Sequence, residues 1–158
     1  MNEKEKRRIA KAIKRIQPYL EEKVFAACAF ERLHWLPLWE GGQWKETDYL
    51  GRELVKKRAG GLPEMGWLAL TSAHVYPYTF KLGFRADRGV NLHAAWGREA
   101  MQVIEWHHLV PGKKVTLLFC PANVPEVHLA FAPGNPGMRE EFIRLLREPG
   151  SSPTLPAD

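Results

Sequence analysis

Residues 66–84 read GWLALTSAHVYPYTFKLGF, two apolar runs separated by the small and polar residues Thr71, Ser72 and Ala73. WLALTS is one strand. In HVYPYTFKLGF the residues Tyr76, Tyr78, Phe80, Leu82 and Phe84 fall on one face, and Val75, Thr79, Lys81 and Arg85 on the other. Alternation at period two is the pattern of a half-buried strand, not of a helix. Pro77 has no N–H to give to a ladder and predicts an edge position.

Downstream, ADRG predicts a turn into VNLHAAW (90–96), where Val90, Leu92, Ala94 and Trp96 alternate with Asn91 and His93 and should pair back as a hairpin. EAMQVIEWHHL and KKVTLLFCP, joined by Pro111-Gly112, read as another pair, and PEVHLAF adds a last strand with Val127, Leu129 and Phe131 inward. Upstream, Val24, Ala26, Cys28 and Phe30 alternate with Phe25, Ala27, Ala29 and Glu31; both faces are read as apolar, which predicts a central strand. The sum is about seven antiparallel strands.

A helix is expected at each end. From Asn2 to Gln17, Ile9, Ala12, Ile13 and Ile16 recur at helical spacing among Lys and Arg, and Pro18 ends the run. Asn135 as N-cap and Pro136 at the first helical position open the second, with Met138, Phe142, Leu145 and Leu146 on one stripe up to residue 148. Residues 34–62 mix Trp35, Trp39 and Trp44 with Pro37 and Gly41-Gly42 and are read as an irregular excursion. Thr47 or Asp48 is placed to cap a short helix within it. The fold class is α+β, one domain over 1–148, with a flexible tail at 149–158.

This order, a meander followed by one amphipathic helix, resembles the pleckstrin-homology-like superfold. WLALTSAHVYPYTF and the preceding phrase IQPYLEEKVFAA are similar to the opening of bacterial GRAM-like domains of that group. The resemblance implies a bent sheet that closes over itself, with the C-terminal helix plugging one end. Its lipid-reading version uses a dense basic cluster at the first hairpin; this chain has none so dense, Lys81, Arg85 and Arg88 being the nearest candidates, and the family's lipid specificity is not carried over.

At 158 residues with 45% hydrophobic and 26% charged residues, composition is that of an ordinary globular chain. Cys28 and Cys120 are too few for a disulfide framework and sit in apolar runs, so a reducing cytoplasm is expected. No stretch near the N-terminus has the length and apolarity of a leader or span. The net charge of +5 is confined to residues 1–15, which hold seven basic and two acidic residues and leave 16 of each sign elsewhere.

No catalytic constellation emerges. A nucleophilic enzyme would need Cys28 or Cys120 beside a base, or a serine on a sharp strand-to-helix turn, and no glycine-rich phosphate loop stands between a strand and a helix. His107 and His108 are neighbours on a strand and point to opposite faces, so with His93, His128 and Cys120 they make a poor metal set; no metal or cofactor is expected. The reading is therefore a non-enzymatic binding domain. A protein or peptide partner ranks first, with Trp35, Trp39 and Trp44 as an aromatic recognition surface. An acidic lipid at the inner membrane face ranks second, met by Lys11, Lys14 and Arg15 with Lys81, Arg85 and Arg88. Nucleic acid ranks below these. A pocket between sheet and C-terminal helix, and a symmetric dimer, are the remaining readings.

Overall fold

The first helix is capped by its own opening residues. Helix α1 spans Glu3–Ile16; the Asn2 side chain accepts from the Glu5 N–H (2.8 Å) and the Glu5 carboxylate accepts from the Asn2 N–H (3.0 Å), a reciprocal capping box. Acidic Glu3 and Glu5 lie in the first turn and basic Lys14 and Arg15 in the last, the arrangement the helix dipole favours. A single 3-10 turn, Gln17–Tyr19, follows. This computed structural model describes residues 1–32, 35–37, 44–46, 62–81, 89–107, 114–120, 127–131 and 136–148.

The architecture is α+β: an antiparallel open sheet with a helix at each end of the chain. The strands are β1 (Ala26–Arg32), β4 (Met65–Leu70), β5 (His74–Phe80), β6 (Val90–Leu92), β7 (Trp96–Gly97), β8 (Gln102–His107), β9 (Lys114–Cys120) and β10 (Val127–Phe131). Their order is β6-β5-β4-β1-β10-β9-β8, with β7 against β5. β1 is central: Cys28 faces Leu68 of β4, and Phe30 faces Phe131 of β10. Among the described residues no strand joins β6 to β8, so the sheet stays open there.

Three expectations change. β5 is not an edge strand, because β4 covers one side and β6 and β7 share the other. Pro77 is tolerated because it falls between those two short strands: its carbonyl accepts from the His93 N–H (3.0 Å), and no ladder bond is asked of its nitrogen. Leu92, expected inward, is 42% exposed, since β6 ends the sheet. Within 34–62, Trp35–Pro37 (β2) and Trp44–Glu46 (β3) pair as a two-stranded antiparallel ladder, with Gly41-Gly42 between them in sequence. The short helix expected after Thr47 lies outside the described residues, as do Asn135 and the tail from 149.

The parity of each strand sorts the core into two clusters. Ala26, Cys28, Phe30, Leu68, Leu70 and Val75 pack with Met138 and Phe142 of the C-terminal helix α2 (Pro136–Arg147). Ala69, Tyr78 and Val90 pack with Ile16 and Val24, with Ile13, Tyr76 and Phe80 around them. Arg98 ties α2 to the sheet: its guanidinium donates to the Leu145 and Glu148 carbonyls at the helix end, the latter at 3.1 Å, and to the Thr71 carbonyl (3.4 Å). Among the described residues no helix is long and apolar enough to cross a membrane.

Gly66 marks a tight approach in this packing. A Cβ there would lie 2.8 Å from the Tyr78 carbonyl oxygen and 2.9 Å from the Phe30 ring. Gly66→Ala is expected to destabilise the domain by about 1–3 kcal/mol, as overpacking of a filled core does. Urea unfolding measures it; an unchanged midpoint would mean that the β1–β4 ladder yields freely.

Candidate anion-binding face

α1 divides its residues sharply. Ala12 and Ile16 are buried and Ile9 and Ile13 half-buried, so the apolar stripe is consumed by the core. The Tyr78 hydroxyl also donates to the Ala12 carbonyl (3.1 Å), fixing the helix to β5. On the opposite side Lys4, Arg7, Lys11 and Lys14 recur at intervals of three and four residues. That spacing makes one straight stripe, about 15 Å long at 1.5 Å per residue. All four are exposed, and among the described residues no carboxylate pairs with any of them; Glu3, close by, is taken by Lys6 at 3.1 Å.

A second row lies on the flank between this stripe and the sheet. Arg8 and Arg15 are seven residues apart, two turns along the same side. The Arg8 guanidinium sits 5.7 Å from the Trp67 ring centre, and that of Arg15 stacks 3.9 Å from Phe80. Trp67 and Phe80 are themselves ring neighbours at 6.2 Å. Arg15 also donates to the Gly89 carbonyl (3.5 Å), which accepts the Lys81 N–H (2.9 Å). A Cβ on Gly89 would lie 2.7 Å from the Tyr19 hydroxyl and 3.5 Å from the Lys81 side chain, so half-exposed Tyr19 and exposed Lys81 flank the end of the row.

The basic residues expected to meet an anion thus come partly together. Lys11 and Lys14 stand in the exposed stripe, and Arg15 and Lys81 meet at Gly89 although 66 positions separate them. Arg85 and Arg88 lie outside the described residues. Of the expected aromatic surface, Trp35 stands opposite Glu46 and Trp44 opposite Pro37 in the β2–β3 ladder, and Trp39 is outside the described residues. His93, considered for a metal set, instead has Nε2 at 2.8 Å from the Thr79 hydroxyl, and burial lowers its pKa.

One polar cluster has no signal in the sequence. The Glu22 carboxylate accepts from the Thr71 hydroxyl (3.0 Å), from the His74 Nδ1–H (2.9 Å) and from the Tyr76 hydroxyl. Gln17 sets this up by folding the intervening link: its amide donates to the Glu22 carbonyl (3.0 Å) and accepts the Val24 N–H (2.8 Å). Glu22 is about fifty residues from its partners, so no local spacing announces the contact; only the shared parity of His74 and Tyr76 hints at it. Burial pushes the Glu22 pKa up, but the hydrogen bonds from Tyr76, His74 and Thr71 outweigh it and leave the carboxyl below its ordinary value. Burial and the Glu22 charge raise the Tyr76 phenol to about 12.

A depressed folded-state pKa stabilises the fold above the unfolded value of 4.5, and that contribution disappears as pH falls through the folded value. Glu22→Gln should therefore lower stability at neutral pH and flatten the acid-side loss that the native chain shows below about 4.5. Urea midpoints across that range test it, and parallel curves for the two proteins would refute it.

Burial raises the Cys28 thiol to about 12, which keeps it a neutral packing group inside the sheet. No protein-family model matches the chain, and no curated protein sequence matches it either.

Proposed function

We propose that the chain is a non-enzymatic binding domain of pleckstrin-homology-like architecture that docks by charge on a phosphate-bearing partner through the outward side of α1. One observation carries the reading: four exposed cations, without carboxylate partners among the described residues, form a straight stripe on a helix whose other side is locked in the core. A solvated helix of no further use needs no such segregation by sign, and acidic residues elsewhere balance the basic ones. The architecture is supported by antiparallel hairpins on either side of β1 and by α2, which follows the last strand and fills the core with Met138 and Phe142. The absence of turnover is supported by the chemistry of the polar groups: the Glu22 cluster is spent on holding its own carboxylate, and Cys28 is no thiolate.

Binding of inorganic polyphosphate at increasing salt tests the proposal. Lys11→Gln/Lys14→Gln should weaken it roughly thirty-fold at low salt, at about 1 kcal/mol per cation, with no change in melting temperature because both side chains are exposed. Undiminished affinity in the double variant would sink the reading.

A second reading, a peptide partner, rests on a different feature. β8 is six residues long and ends the sheet, and among the described residues its outer side has no strand. Such an edge accepts an added strand through main-chain hydrogen bonds. A peptide selected by display should slow hydrogen exchange of the β8 amides; unaltered exchange there counts against this mode.

A further inference from the structure

We infer that the partner of the α1 face is single-stranded nucleic acid, with phosphates on the outer stripe and bases stacked along the Arg8–Arg15 flank. The inference rests on the charge-docking reading above and adds to it the class of partner. Two observations select this class over a membrane. First, a helix that binds a bilayer lays its apolar side into the interface, and here Ile16 and Ala12 are 0% and 1% exposed within the core. Charge alone is left for a lipid surface. Second, the flank beside the stripe is built from planes. Arg8 lies over Trp67 and Arg15 over Phe80, with Tyr19 at the end of the row. Unstacked bases are received on aromatic rings and Arg planes alike, and this flank is built from both side-chain types.

Duplex nucleic acid fits this surface less well, because its bases are already stacked and offer the flank nothing to stack upon. The seven-residue interval between Arg8 and Arg15 places the two side chains about 10 Å apart along the helix. The phosphate stripe runs parallel to them, so a strand lying along α1 meets both rows at once. Nucleic acid ranked low in the sequence because the aromatic residues involved come from β4 and β5, and their approach to α1 has no local pattern.

Titration of a fluorescein-labelled oligouridine with the intact protein tests this, read against three controls: duplex DNA, acidic phosphatidylserine vesicles and inorganic polyphosphate. The logarithm of affinity should fall with log salt at a slope near −2.8, about −0.7 for each of four phosphate contacts on a single strand. Lys11→Gln/Lys14→Gln should halve that slope. Arg8→Lys/Arg15→Lys keeps the charge and removes the planes; it should weaken oligouridine binding about ten-fold while leaving the slope and polyphosphate binding unchanged. Circular dichroism melts of both double variants establish that they are folded. Equal oligouridine binding by the Arg→Lys variant and the native chain overturns the stacking, as does tighter binding to duplex or to vesicles than to the single strand. If polyphosphate binds and oligouridine does not, only this inference falls. If neither binds the folded protein, the charge-docking reading falls with it.

Discussion

Phe142→Ala should lower the unfolding free energy by about 3–5 kcal/mol, the usual cost of emptying a buried aromatic site. Phe142 is fully buried, and it joins Met138 in filling the space between α2 and the face of β1 and β4 that carries Cys28, Phe30 and Leu68. Neighbours that are themselves fixed in strands cannot collapse into the void. For a chain of this size the loss corresponds to a fall in melting temperature of roughly 6 to 20 °C. A calorimetric shift under 2 °C, about what a 1 kcal/mol loss would give, would mean that α2 is not seated on the sheet as described.

Ile16→Ala is the second large loss, about 2–5 kcal/mol. Ile16 ends α1 with no exposed surface and packs with Val24, Ala69 and Tyr78, the cluster opposite that of Phe142. The two substitutions fall in separate buried clusters, both bordered by the half-buried Trp67, and with no direct contact between the two side chains their costs should add within about 0.5 kcal/mol. Urea unfolding of the two single variants and the double variant measures this. A clear departure from additivity would show that the faces are coupled through the strands between them. Ile16 also sets how the basic helix must be probed. Removing residues 1–17 takes away a core side chain along with the charge, whereas glutamine at positions 11 and 14 alters charge alone.

What the sequence revealed, and what it hid, follows from where each signal resides. α1 was legible because its isoleucine spacing and Pro18 lie within one short window, whereas its Asn2–Glu5 capping box emerged only from the structure. The hairpins were legible from alternation, and the centrality of β1 from the apolar residues on both its sides. Pro77 misled because the edge rule assumes that a neighbouring strand is continuous; here the neighbour is split into β6 and β7, and the proline occupies the gap. The β2–β3 ladder was hidden because three residues are too few for a period to register. At the candidate face the stripe was visible in part: Lys11 and Lys14 were identified from charge alone. Arg8, Trp67 and Phe80 were not, since their meeting depends on how α1 crosses β4 and β5. Glu22 was invisible for the same reason, its partners being set by the path of the link that Gln17 folds.

The place of β1 has a consequence for how the chain comes to be folded. Its partner on one side, β4, follows within the same half of the sequence, but on the other side Phe30 must wait for Phe131. During synthesis from the N-terminus, β1, β4, β5 and β6 can assemble as soon as they are available, leaving one side of β1 without a neighbour. Long-range pairing of this kind slows folding, and an unpaired strand edge in a partly made chain invites association with other chains. Shortening the chain before residue 127 should therefore yield an aggregating product, whereas addition of the final strand and α2 closes that edge and buries the face that carries Phe30.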